Sequence, residues 1–339
     1  MATPTSLSQS RPNSSGRAWV YATTVGVLLL IVPLSLLTGR LSNGPNFGLG
    51  DPEIASIVLR EIRMPRTLLG LLVGGSLGLC GAALQGLLRN PLAEPGVLGV
   101  SSGAALGAVL AFYFGLAGTD SIAVPIAAVA GSLVALGVIY SLAGKRNGLV
   151  GLVLAGIGIN ALAAALTSLA LNFAPSPYAA LEMLFWMFGS LADRSMVHVY
   201  LATPLMAAGW FCVAKAGQGL DALALGEDTA MSLGFPPKRT QSFVIIGTAL
   251  SVGAAVAVTG VIGFVGLVVP HLLRPLVGHF PSRLLLPSFL VGALLTVLAD
   301  LAVRLMPPGP ELKLGVITAL VGAPVFLHLV LKSGRGAFE

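Results

Sequence analysis

Charge is scarce in this 339-residue sequence: 19 Lys and Arg with 13 Asp and Glu make 9 % of the chain, where a soluble domain carries roughly a quarter. A globule of this length could not clothe its surface with so few ionised groups. Cysteine is nearly absent. Cys80 and Cys212 each sit inside an apolar run, which argues against a disulfide framework and makes both thiols small buried hydrophobes. The four histidines stand singly, and no H-E-x-x-H or His/Cys grouping offers a metal site or a hydrolytic centre. No G-x-x-x-x-G-K-[ST] loop is present to cradle nucleotide phosphates. The net charge of +6 comes from scattered residues with no basic face, which excludes a nucleic-acid binder. What the chain does have is 55 % hydrophobic residues and 43 glycines. That balance describes a polytopic, all-α membrane protein whose helices pack backbone to backbone.

Residues 1–18 are polar, rich in Ser and Pro, and carry Arg11 and Arg17; a disordered cytoplasmic tail is expected there. The first apolar run, Trp19 to Leu37, is too long for a signal peptide and lacks a small-residue cleavage site before Gly39, so it is taken as a retained span. Measured against the ~20 apolar residues that cross a bilayer, further spans fall at 67–88, 97–115, 121–143, 149–173, 196–214, 242–260, 262–278, 284–306 and 312–331. About ten transmembrane helices thus form one membrane domain over residues 19–335. The stretch 259–278 reads as a broken helix, because Thr259–Gly260 and Gly263–Phe264–Val265–Gly266 interrupt it. Most basic residues lie on the N-terminal side, which makes that side, and both termini, cytoplasmic. Arg40, Arg60, Arg63, Arg66, Arg194, Arg304 and Lys313 fall on the other side, against the rule. The run Gly75 to Ala83 is loosely echoed by Gly247 to Ala255, in helices of opposite direction, as an inverted repeat would require.

Several polar interruptions carry more than hydrophobicity. Gln85 to Gly96 holds Pro91, Pro95 and Gly96, which forbid a continuous helix between the second and third spans. The longest polar stretch, about 216–241, contains a candidate amphipathic helix from Asp221 to Leu233 that Gly234 and Pro236–Pro237 end. Arg63 and Arg66 share a helix face, where they can snorkel to headgroups or pair with Glu61. Asp300 and Arg304 are spaced for an i,i+4 ion pair. His271 and Arg274 follow Pro270 and read as anchors of a short helix. Glu182 stands beside Phe185, Trp186 and Phe188, an aromatic belt or the mouth of a chamber.

The segments Arg63–Met64–Pro65–Arg66, Asn90–Pro91–Leu92–Ala93–Glu94–Pro95–Gly96, Gly99–Val100–Ser101–Ser102–Gly103–Ala104 and Gly260 to His271 together resemble the FecCD-type, BtuC-like permeases. The likeness continues through Ala224 to Asp228 and Leu314 to Pro324, and covers nearly all of the chain after its tail. These permeases are the membrane subunits of ABC importers for iron–siderophore complexes, haem and cobalamin. The resemblance implies that fold, a second permease copy or paralogue, two ATPase subunits, a periplasmic or lipid-anchored substrate-binding protein, and residence among the lipids of a bacterial inner membrane. It implies no cofactor on this chain, with ATP and Mg held by the ATPase.

Carried over residue by residue, the resemblance makes Arg63, Arg66 and Arg304 the docking points for the binding protein. Leu225, Gly226, Glu227, Asp228, Leu233 and Gly234 would lie on the coupling helix that meets the ATPase. Asn90 and Leu92 match one element of the cytoplasmic gate; Gly148 and Leu149 stand where some relatives have small hydroxyl residues in the other. A path for a large chelate should be smooth, and Asn160, Ser168 and Asn172 are the polar groups expected along it. The expected cargo is an iron–siderophore, with haem and cobalamin as alternatives. An ion-coupled secondary transporter would bury an ionisable residue mid-span, and none is found in any of the ten runs. An intramembrane enzyme would need a nucleophile–base pair or metal motif, and none is found either.

Overall fold

The computed structural model describes residues 14–41, 44–47, 52–116, 122–143, 148–306 and 311–335. Helix α1 (Ser14–Leu37) leads into a two-stranded antiparallel ribbon, β1 (Thr38–Leu41) and β2 (Gly44–Phe47), in which Gly39 faces Asn46. Residues 14–18, expected within the tail, are therefore helical; residues 1–13 of that tail lie outside the described residues. Helix α2 (Pro52–Ile57) passes through a π-helical turn, Val58–Arg63, into α3 (Met64–Leu87). A loop with one 3-10 turn (Pro95–Leu98) then opens α4 (Val100–Tyr113). There follow α5 (Ala123–Ala143), α6 (Gly148–Asn172), the short α7 (Pro177–Met187) and α8 (Met196–Ala224). The chain closes with α9 (Glu227–Ser232), α10 (Pro237–Thr259), α11 (Val265–Val277), α12 (Pro281–Leu305) and α13 (Leu314–Arg335).

All ten apolar runs are helical. Among the described residues seven helices are long and apolar enough to cross a membrane, and the runs on α4, α11 and α13 are shorter. Two of the short ones follow elbows. Gly99 takes φ 72° ahead of α4, and Gly260 (φ 73°) and Phe264 (φ 67°) bracket the turn into α11. The break anticipated within 259–278 is thus a four-residue elbow at 260–263 capped by Phe264. The echoing runs lie on α3 and α10, and each of these helices is followed by an elbow and a short apolar helix.

Helix α3 is the hub, buried along most of its length between α12, α8, α10 and α11. Its contact with α12 is built from small residues: Gly74 and Gly78 lie against the backbone of Gly292 and Ser288, with no room for a Cβ. Without a hydrophobic drive between helices in lipid, such close approach is what holds them together.

One boundary differs from expectation. The helix proposed from Asp221 to Leu233 is two helices, because Asp221 to Ala224 are the last turn of the 29-residue α8. At ~1.5 Å per residue that helix is ~43 Å long, so it projects beyond a ~30 Å apolar core. Gly226, at φ 118°, breaks the chain before α9, and Gly234, at φ 82°, ends it.

Candidate functional site

Three sets of polar residues interrupt the apolar body. The first lies at the end of the bundle where α3 begins and α12 ends. Here Asp300, 2 % exposed, receives two guanidinium groups: Arg66 Nε donates to Oδ1 at 2.8 Å and Arg304 Nε donates to Oδ2 at 2.9 Å. Arg66 also pairs with Glu311. Arg304, itself 2 % exposed, donates to the carbonyls of Ser35 (2.8 Å) and Thr38 (3.1 Å). Arg63 donates to Leu36 O (3.1 Å) and Leu37 O (2.8 Å). The i,i+4 pair Asp300–Arg304 is present, and Arg63 makes carbonyl contacts with the end of α1. Of the three arginines expected as docking points, Arg63 and Arg304 are buried and Arg66 is nearly so. Burying a guanidinium in apolar surroundings is costly, and these carboxylate and carbonyl acceptors offset that cost. Neighbouring Arg60 and Glu61 stay exposed.

The second set lines a cavity of about 430 Å³ against the middle of α6. Asn160, Thr167 and Ser168 come from α6, Ser101 and Ser102 from α4, and Glu94 from the loop between α3 and α4. Ser102 Oγ donates to Asn160 Oδ1, and Ser168 Oγ donates to Ala164 O at 2.9 Å. Burial pushes the Glu94 carboxyl above the usual carboxylate range, and a hydrogen bond from the Phe264 backbone N–H pulls it back in part. That bond joins the two elbow regions. A second hollow of about 600 Å³, between α13 and the 260–264 elbow, shares Met187 and Val261 with the first.

Of the residues expected on the path, Asn160 and Ser168 are brought together here; Asn172, the last residue of α6, is exposed and does not line the cavity. Glu94, Ser102 and Thr167 were missed. Thr167 and Ser168 follow Asn160 by seven and eight residues, two helical turns, and that spacing was the available signal. Glu94 gave none, because its loop re-enters the bundle. A loop thus places one carboxyl in the cavity beside α6, which a reading of the spans alone does not show. Glu182 is exposed on α7, where Trp186 is buried edge-on to Phe112 and Lys313 lies over Phe185, 5.9 Å from its centroid.

The third set is at the opposite end, around α9. Glu227 and Asp228 occupy its first turn and are exposed, beside Leu225 (63 % exposed), Met231 (56 %) and Leu233 (56 %). At the same end Asn90 Oδ1 accepts from Leu92 N–H at 2.9 Å, a tight turn that displays Leu92. Gly148 and Leu149, the other expected gate element, open α6, and the Leu149 side chain lies outside the described residues. Arg274 is an anchor as expected: it donates to Gln85 Oε1 at 2.9 Å, while Gln85 Nε2 donates to Leu267 O at 3.1 Å. The deeply buried Gln85 reaches the carbonyls beside Pro270, whose missing N–H leaves Gly266 O without its helical partner.

The fold recurs in known proteins. The model of the FecCD transport family matches residues 27–332. The vitamin B12 import system permease protein BtuC of Salmonella typhi is 38 % identical over 322 residues, covering 94 % of this chain and 96 % of that protein, and the BtuC of Salmonella typhimurium strain LT2 is equally similar. A solved inward-facing structure of a metal-chelate type ABC transporter superposes with a TM-score of 0.81 at 30 % identity, covering 93 % of this chain and 99 % of that one. PsaBC from Streptococcus pneumoniae shares the fold at a TM-score of 0.54 and 19 % identity, over 78 % of this chain and 89 % of its own. A membrane-spanning chain with no nucleotide-binding loop, matched from end to end by permease subunits whose ATP hydrolysis is done by separate subunits, is itself a permease subunit and not an enzyme. The chain belongs to the FecCD transport family of ABC importer permeases.

Proposed function

We propose that this permease carries a corrinoid of the vitamin B12 type across a bacterial inner membrane, with its termini and α9 on the cytoplasmic side. The observation that carries the reading is the 38 % identity to vitamin B12 import permeases along 94 % of the chain. The cavity chemistry supports it: hydroxyls, a carboxamide and a single carboxyl in an otherwise apolar wall can pass a large amide-fringed ligand without gripping it. A second reading, an iron–siderophore or haem, is supported by the likeness to a metal-chelate transporter.

In this reading a substrate-binding protein delivers the ligand at the Arg66–Asp300 end, and two copies of the chain, or this chain and a paralogue, enclose the path. ATP and Mg are held by two ATPase subunits that dock at α9. Nucleotide and binding protein then bias the population between outward-open and inward-open states. The test is uptake by proteoliposomes holding the permease, its ATPase and its binding protein. ATP-dependent accumulation of cyanocobalamin is expected. Uptake of a ferric chelate with none of cyanocobalamin would move the assignment to the second reading, and accumulation driven by an ion gradient without ATPase would overturn both.

A further inference from the structure

The turn of α8 that precedes α9 is tied to two other elements, and by unlike bonds. Asp221 Oδ1 accepts the backbone N–H of Ser282 at 2.8 Å and Asp221 Oδ2 accepts the Ser282 hydroxyl, so a carboxylate on α8 caps the N-terminus of α12. Two residues further on, Leu223 O accepts a hydrogen bond from the Arg89 guanidinium. Arg89 stands immediately before Asn90, the start of the turn that displays Leu92, and holds a φ of 48°, unusual for a residue with a side chain. The ends of α3, α8 and α12 close on one another here, with Gly86 against Pro281 and Leu220. Only Leu225 and Gly226 separate this turn from α9.

From this geometry we propose that Arg89 and Asp221 are positioning residues that transmit displacement of α9: Arg89 to the gate turn at Asn90–Leu92, and Asp221 to α12, which moves with α3. The proposal rests on the reading of α9 as the ATPase docking element. The bonds are directional, made at solvent-accessible ends, and placed on the last rigid turn before a glycine break. Helix α8 is thereby a lever whose end is linked to the turn at Asn90–Leu92 and to α12. Removing either link leaves the membrane body, held by apolar packing and by the glycine contacts of α3 with α12, in place.

The experiment uses the assembled transporter in proteoliposomes and reads ATPase co-purification, ATP hydrolysis and uptake separately. R89A and D221N are expected to keep the ATPase bound and hydrolysing while uptake per ATP falls about tenfold. S282A, which loses one hydroxyl bond but keeps the backbone cap, is expected to fall about threefold, and it carries the test if the other variants do not purify as folded protein. R89K, which retains a donor, should recover part of the coupling. Unchanged uptake per ATP in R89A, D221N and S282A would overturn the proposal, as would loss of ATPase binding in R89A and D221N. The docking reading is tested apart, by L225D combined with M231D: if that variant still binds ATPase as the parent does, the docking reading falls and the proposal with it.

Discussion

Asp300 shows how a single residue organises one end of the molecule. Its two oxygens hold Arg66 and Arg304, and the latter reaches across to the end of α1. Because removing one member of a buried charge cluster strands the others, D300A is expected to cost about 3–5 kcal/mol. Glu311, 28 % exposed at its side chain, should matter far less, and E311Q is expected to cost under ~1 kcal/mol. Thermal melting of the purified protein checks the order, and equal midpoints for the two variants would refute it. The sequence showed that these arginines break the charge rule and that Asp300 and Arg304 are spaced to pair. It did not show that Arg66 comes to the same carboxylate, since 234 residues separate Arg66 from Asp300. Helical spacing reports only neighbours on one helix, so a partner met from another helix does not show in it.

Among elements, the apolar runs were legible because a bilayer imposes their length. The boundary of α8 was not. Its last ten residues include Lys215, Gln218 and Asp221, so hydropathy falls while the helix continues. Hydropathy measures depth in the membrane and not backbone conformation. The elbows were legible as interruptions, since Pro and Gly state where helices cannot run, but where the elbow loops travel was not, and Glu94 was missed for that reason. Helix α11 carries both effects. Pro270 and Pro275 lie inside it, each removing an internal hydrogen bond, and the buried Gln85 compensates at one of them. Q85L removes the donors to Gly266 O and Leu267 O and the acceptor of Arg274. It is expected to destabilise α11 by about 2–3 kcal/mol. Amide exchange should quicken across residues 265–277 while residues 281–305 of α12 keep their protection. Equal protection in both helices would show that Gln85 does not support the elbow.

For the whole molecule, the informative residues are polar ones on an outward face. Asn160, at the midpoint of α6, and Ser168, about two turns further on, are exposed on a helix that otherwise presents Leu154, Ile157, Leu162 and Leu166. Polar groups at that depth are costly against hydrocarbon and are normally found facing protein or a water-filled path. The same side carries both hollows, and α13 presents Leu320 and Val321 beside the second. In the reading proposed above, a single chain leaves the wall of a path open, and a second permease copy or a paralogue would close it without exposing the wall to lipid. Two expectations follow for the detergent-solubilised protein and its reconstituted form. The permease component should have twice the 34.4 kDa mass of one chain. In a background with Cys80 and Cys212 replaced by alanine, S168C should react with a membrane-impermeant maleimide once the transporter is held open to one side. A fluorophore attached there should escape quenching by lipids spin-labelled on their acyl chains, whereas one at L154C, fewer than two turns before the midpoint polar group, reports the neighbouring stripe for comparison. Quenching at S168C as strong as at a lipid-facing control on α1, such as L30C, would place this face against the bilayer and remove the case for a path between copies.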